Sequence, residues 1–96
     1  MLYLISDAAQ PVIFSSAGNL TNENQFLHPK RIMDSYELIS VTKGTLHIQS
    51  EDRSYHLTPG QFVLLFPEEY HFGTRPTEGA LSFYWTHFYF HAKEAA

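Results

Sequence analysis

The residues best suited to chemistry lie on an aromatic run near the C-terminal end. Successive side chains of an extended strand point to opposite faces. Phe83, Trp85, His87 and Tyr89 therefore share one face, and Ser82, Tyr84, Thr86, Phe88 and Phe90 share the other. Both faces are aromatic, so periodicity does not say which one meets a ligand. An indole face stacks on sugar C–H groups while an imidazole hydrogen-bonds a hydroxyl, so Trp85 with His87 suits carbohydrate recognition. The competing reading makes Trp85 a core residue and His87 a satisfied core histidine. Covalent chemistry has weaker candidates. A hydrolase or transferase needs a nucleophile held by an oriented base. The chain has no cysteine, and no serine sits in a Gly-x-Ser-x-Gly elbow. Glu68 and Glu69 are adjacent, so in extended chain they point apart and read as a solvated loop. No enzyme is expected.

These side chains need strands to hold them. Residues 1–14 read as an apolar arm ending in Pro11, Val12, Ile13 and Phe14, a short strand. Residues 15–24 are polar, turn-rich and without periodicity, and read as a mobile linker. From Phe26 onward, apolar runs alternate with turns. Tyr36 to Val41 is a strand stopped at Lys43-Gly44. Residues 45–49 alternate with period two and place Leu46 and Ile48 on one face. Glu51-Asp52 turns the chain, and Tyr55 and Leu57 return on the buried face. Thr58-Pro59-Gly60 is a turn: proline presets φ at one central position and glycine accepts positive φ at the next. Phe62 to Phe66 reads as a fully buried strand ended by Pro67. A polar loop follows to Gly79, then the aromatic strand from Ser82 to Phe90. His47 and His56 alternate with apolar neighbours and are expected to face solvent. The tail 91–96 has helix-forming composition but is too short to be stable alone.

Composition bounds the rest. Ninety-six residues allow one domain with one core. Aromatic residues make up 16% of the chain, which suits strands and pocket walls. Six Lys and Arg against ten Asp and Glu give a formal charge of −4, and Lys30-Arg31 is the one adjacent basic pair. A nucleic-acid surface needs clustered positive charge, so this chain by itself is not expected to bind DNA or RNA. The lack of cysteine excludes disulfides and thiolate metal sites. The apolar run before Asp7 is too short for a signal peptide and no run spans a bilayer, so a cytoplasmic location and no membrane partner are expected.

An ordered set of segments carries a family resemblance. Pro59-Gly60, a five-residue apolar strand, Pro67 and His71 resemble the second motif of cupins, with Glu69 where that motif has glycine. Glu37 lies seven residues before Gly44, like the end of the first cupin motif. The run His28-Pro29-x-Arg31, Tyr36-Glu37-Leu38-Ile39, Gly44-x-Leu46, Tyr55-x-Leu57-x-Pro59-Gly60 and Ser82 to Phe88 resembles, over about residues 26–90, the N-terminal sensor domain of AraC-type bacterial transcription regulators. The resemblance implies an all-β, cupin-like (double-stranded β-helix or jelly-roll) barrel over 26–96, incomplete at its C-terminal end, with residues 1–25 as arm and linker. It implies a small-molecule effector of the carbohydrate class, a homodimer, and DNA contact only through a C-terminal domain absent from this chain.

Enzymatic cupins place His-x-His shortly before the glutamate. Here the interval is Lys30-Arg31-Ile32-Met33, which holds no histidine. One histidine and one glutamate do not make a tight transition-metal site, so no metal and no cofactor are expected. His28, at a loop entry, is set aside. The resemblance leaves Arg31, Glu37 and His71 as polar groups at the mouth of an apolar barrel, where a ligand could supply their hydrogen bonds. It also points to Trp85 and His87 as the pocket face, Phe14 as a cap carried by the arm, and Phe72 at the rim beside His71. Two alternatives stand beside a sensor: a metal-dependent cupin isomerase or dioxygenase, and a dimerisation module with a dry barrel.

Overall fold

The computed structural model describes residues 3–6, 13–89 and 92–95, with side chains from 14 to 89. Every regular element among them is a strand. In chain order these are β1 (Tyr3–Ser6), β2 (Ile13–Asn22), β3 (Arg31–Ile32), β4 (Tyr36–Lys43), β5 (Leu46–Ser50), β6 (Arg53–Leu57), β7 (Phe62–Leu65), β8 (Tyr70–Gly73), β9 (Leu81–Tyr89) and β10 (Ala92–Ala95). They form two antiparallel four-stranded sheets, ordered β2-β9-β4-β7 and β3-β8-β5-β6, and a separate β1-β10 pair. The two large sheets face each other but do not close into a hydrogen-bonded barrel, so the expected barrel is an open sandwich.

Alternation builds the core between them. Ile39 and Val41 of β4, Val63 and Leu65 of β7, and Leu81 and Phe83 of β9 point inward from one sheet. Leu46 and Ile48 of β5 and Leu57 of β6 answer from the other. The expected hairpin register holds, with Leu46 opposite Leu57 and Ile48 opposite Tyr55. Gly44 turns β4 into β5 with φ +77°, and a Cβ there would run into the Ala80 carbonyl. Gly60 (φ +90°) closes the Thr58-Pro59-Gly60 turn, where Gln61 N–H donates to the Thr58 carbonyl at 3.0 Å.

Several expectations from the sequence are corrected. Residues 15–22, read as linker, belong to β2, which pairs with β9 from Ile13–Tyr89 to Asn22–Leu81 with a bulge between Phe14 and Ser16. An edge strand needs backbone partners more than apolar side chains, and a long neighbour supplies them. The loop expected between Pro67 and Gly79 contains β8, whose four residues, set among glycine, proline and charged neighbours, are too short a run to signal a strand. Phe62–Leu65 is not fully buried: Phe62 is 67% exposed, because β7 is a sheet edge with one outward face. His47 is buried, with its Nδ1 2.7 Å from that of His56 across the hairpin. Ala92–Ala95 is strand rather than nascent helix. Pro11, Val12, Phe90 and His91 lie outside the described residues.

Candidate functional site

The polar interior begins at one cross-strand position. Glu37 of β4 lies directly opposite His87 of β9, and the pleat that turns Ile39 and Val41 inward turns Glu37 inward as well. His87 Nε2 is 3.2 Å from Glu37 Oε2, and the Ser35 hydroxyl is 3.2 Å from His87 Nδ1. From the facing sheet, His71 of β8 reaches across the interior and places Nε2 3.5 Å from Glu37 Oε1. That approach is not a hydrogen bond, and both atoms are buried with no hydrogen-bond partner. Such groups cost roughly 1–3 kcal/mol each when left unsatisfied.

His28, in the loop before β3, completes the cluster. Its ring meets that of His71 edge-on with centroids 5.2 Å apart, and its Nδ1 is 2.8 Å from the Pro29 carbonyl oxygen. Gly73 lets this loop lie flat on β8. A Cβ there would stand 2.7 Å from the His28 nitrogen, and Gly73 N–H donates to the His28 carbonyl at 2.9 Å. Burial lowers the pKa of His28, against a pull upward from the Pro29 carbonyl. Burial also lowers His71, to about 4, helped by the charges of His28, Arg31 and His87; a weak backbone contact at Glu69 opposes it. Both rings are neutral at pH 7. One donor atom from each of His28, Glu37 and His71 lies within 4.8 Å of the others, and all three residues are buried. The expectation of one imidazole beside Glu37 is thus corrected: three histidines converge there.

A cavity of about 570 Å³ opens beside this cluster, within the span of roughly 300–1,000 Å³ typical of small-molecule sites. Phe83, Trp85, His87 and Tyr89 all line it, so the Trp85 face of β9 is the inner one. Leu20 and Phe26 extend the apolar wall, and Arg31, Asp34, Ser35 and Glu37 add polar groups. Trp85 lies edge-on to His87 with centroids 5.3 Å apart. Its indole lies against β2 at Gly18, its cross-strand partner, where a Cβ would come within 2.6 Å of Trp85 Cζ2.

The structure brings Arg31, Glu37, His71, Trp85 and His87 together. Arg31 is exposed and contacts the Met33 sulfur at 3.2 Å; it does not pair with Glu37. Phe14 and Phe72 do not join them. Phe14 is 72% exposed on β2 and its ring meets Phe88 at 6.4 Å, away from the cavity. Phe72 follows His71 on a strand and points to the opposite face, paired with Gln49. Sequence reasoning missed Gly18, Ser35, and the Tyr89–Asp34 hydrogen bond of 3.1 Å at the rim. It noticed His28 and set it aside, because the family resemblance puts that position at a loop entry.

Comparison with known proteins gives this geometry a context. Residues 14–96 match the family model described as an AraC-like ligand binding domain. The chain is 35% identical over 82 residues to an uncharacterized HTH-type transcriptional regulator, YisR, of Bacillus subtilis strain 168. That match covers 85% of this chain and 29% of the relative. Among solved structures, the fold resembles a cupin superfamily protein of Desulfitobacterium hafniense (TM-score 0.67, 10% identity, 91% of this chain and 76% of that one). It also resembles the cupin domain of Cnp3 from Schizosaccharomyces pombe (TM-score 0.66, 11% identity, 90% and 58%).

Proposed function

The chain belongs to the AraC-like ligand-binding domain family, and from that premise we propose that it senses a small polar molecule of the sugar class for a cytoplasmic transcription regulator whose DNA-binding segment lies outside these 96 residues. The supporting observation is the cavity wall on which the Trp85 indole stands beside His87, with Glu37 next to it and Arg31 nearby. The indole offers a stacking face. The carboxylate accepts hydroxyl protons, and the imidazole and guanidinium supply polar contacts around a polyol ring.

Regulation needs a second state. The effector shifts an equilibrium only as far as its affinities for the two states differ. β2 and the loop carrying His28 are the elements placed to report occupancy. One carries Gly18 against the indole, and the other carries an imidazole into the cluster. A homodimer would carry the response to a paired DNA site.

Thermal unfolding against a panel of mono- and disaccharides, in EDTA, tests the reading. An effector at a hundred times its dissociation constant adds about 2.7 kcal/mol. For a domain of this size that raises Tm by roughly 10–20 °C. Trp85→Ala should keep the fold and lose the shift. A panel in which no sugar moves Tm would remove carbohydrate as the effector class, and an unchanged shift in Trp85→Ala would remove stacking.

A further inference from the structure

The three imidazoles around Glu37 are not equivalent. His87 is engaged at both nitrogens, Nε2 toward Glu37 Oε2 and Nδ1 toward the Ser35 hydroxyl, each at 3.2 Å. It holds one carboxylate oxygen and leaves Oε1 free. His28 has its Nδ1 2.8 Å from the Pro29 carbonyl oxygen. A carbonyl only accepts, so the ring proton sits on Nδ1 and the lone pair on Nε2. His71 Nε2 faces Oε1 at 3.5 Å, and both atoms are buried without a hydrogen-bond partner. The arrangement therefore presents two nitrogen donors and one carboxylate oxygen on three separate segments of chain, converging to within 4.8 Å.

We propose that His28, Glu37 and His71 bind a first-row divalent metal ion. Two ligands each about 2.0–2.1 Å from a tetrahedral zinc stand roughly 3.4 Å apart, which is the spacing found between Oε1 and His71 Nε2. Two imidazoles with one carboxylate suit Zn²⁺, Fe²⁺, Co²⁺ or Ni²⁺, whereas Mg²⁺ and Ca²⁺ demand oxygen-rich cages. His28 and Glu37 both line the cavity, so the positions that three protein ligands leave open face it, available to water or to an oxygen of a bound molecule. His87 acts as a positioning residue that fixes the carboxylate, and the Pro29 carbonyl does the same for the His28 ring. The donor set is assembled by the fold. No His-x-His interval precedes Glu37, because Arg31 and Met33 stand there.

The site is read without any organic effector, so its failure and that of the sugar reading are separable. The 96-residue chain, stripped with EDTA and dialysed, is titrated with Co²⁺ while visible d–d absorption and tryptophan emission are followed. Trp85 is the single tryptophan, and its ring centroid is 5.3 Å from that of His87, close enough for a paramagnetic ion to quench it. One equivalent should bind, with visible bands, quenching, and displacement by Zn²⁺. His87→Gln should weaken binding about 10–100-fold, as loss of an orienting group does, and His71→Gln or Glu37→Gln by more than that. His47→Gln is the control for the second histidine pair, on the β5–β6 hairpin, and should bind as the parent does. A wild-type titration with neither bands nor quenching overturns the proposal. So does binding that survives Glu37→Gln and His71→Gln and disappears in His47→Gln.

Discussion

Gly18→Ala tests how the pocket wall is built, because its sign should depend on a residue across the sheet. A Cβ at Gly18 would lie 2.6 Å from Trp85 Cζ2 and 2.9 Å from Cε2, so the indole must move. Overpacking of this kind costs roughly 1–3 kcal/mol. Removing a glycine from a strand returns about 0.5–1 kcal/mol of chain entropy. The net loss should therefore be roughly 0.5–2 kcal/mol. At about 2.1 cal/mol/K per residue, 96 residues give about 0.2 kcal/mol/K. Tm should fall by roughly 3–10 °C, with a shift in Trp85 emission as the ring swings into the cavity. With Trp85→Ala in place the clash is gone, and Gly18→Ala should stabilise by about 0.5–1 kcal/mol. Urea unfolding of the four proteins closes the cycle, and the coupling should be about 1–3 kcal/mol. Equal effects of Gly18→Ala in both backgrounds would refute the contact.

In the metal-free chain the pKa of His71 falls from its ordinary 6.5 to about 4 on folding. As pH drops the unfolded state takes up the proton first, so the stability gained by keeping His71 neutral is complete above about 6.5 and is lost between 6.5 and 4. The change amounts to up to about 3 kcal/mol. The urea midpoint should drop from pH 7 to pH 4.5, and His71→Gln should flatten that slope; an equally steep slope in the variant would assign the loss elsewhere. Thr77 is 1% exposed and its hydroxyl donates to the Thr45 carbonyl at 2.6 Å. Thr77→Val leaves that carbonyl unpaired and should lower stability by about 1–3 kcal/mol, read as a Tm loss. Ile39, fully buried at the centre of β4, should cost about 2–5 kcal/mol as Ala; a loss under 1 kcal/mol in urea unfolding would mean that the interior collapses to fill the gap.

Elements were legible where one chemical cause fixed them. The β5–β6 hairpin follows from alternation around a polar turn, and the Pro59-Gly60 turn from the φ demands of its residues. The inner face of β9 was enumerated correctly as a set, but the choice of that set over Phe88 and Tyr84 came from resemblance, since hydrophobicity was equal on both sides. β2 and β8 were missed for a common reason. Their membership in the sheets rests on backbone pairing with β9 and with β3 and β5, which neither the polar stretch of β2 nor the four-residue length of β8 signals. The His28 contact was illegible because it depends on the loop lying over Gly73, a packing relation between positions 45 residues apart.

A buried carboxylate in so small a core needs a physical reason. A domain of this size has about 5–15 kcal/mol of net stability, and the unpaired Glu37 Oε1 and His71 Nε2 together forfeit a sizeable part of it. Replacing Glu37 by an apolar residue would remove that loss and should stabilise the empty chain. The polar cluster thus stores a deficit that whatever completes it would cancel, so ligand affinity and fold stability draw on the same atoms. Glu37→Leu separates the two roles: it should raise Tm in EDTA while abolishing stabilisation by Co²⁺. A Tm that falls in EDTA would mean that Glu37 already stabilises the fold unaided, through His87 on the neighbouring strand, and the stored deficit would then not exist.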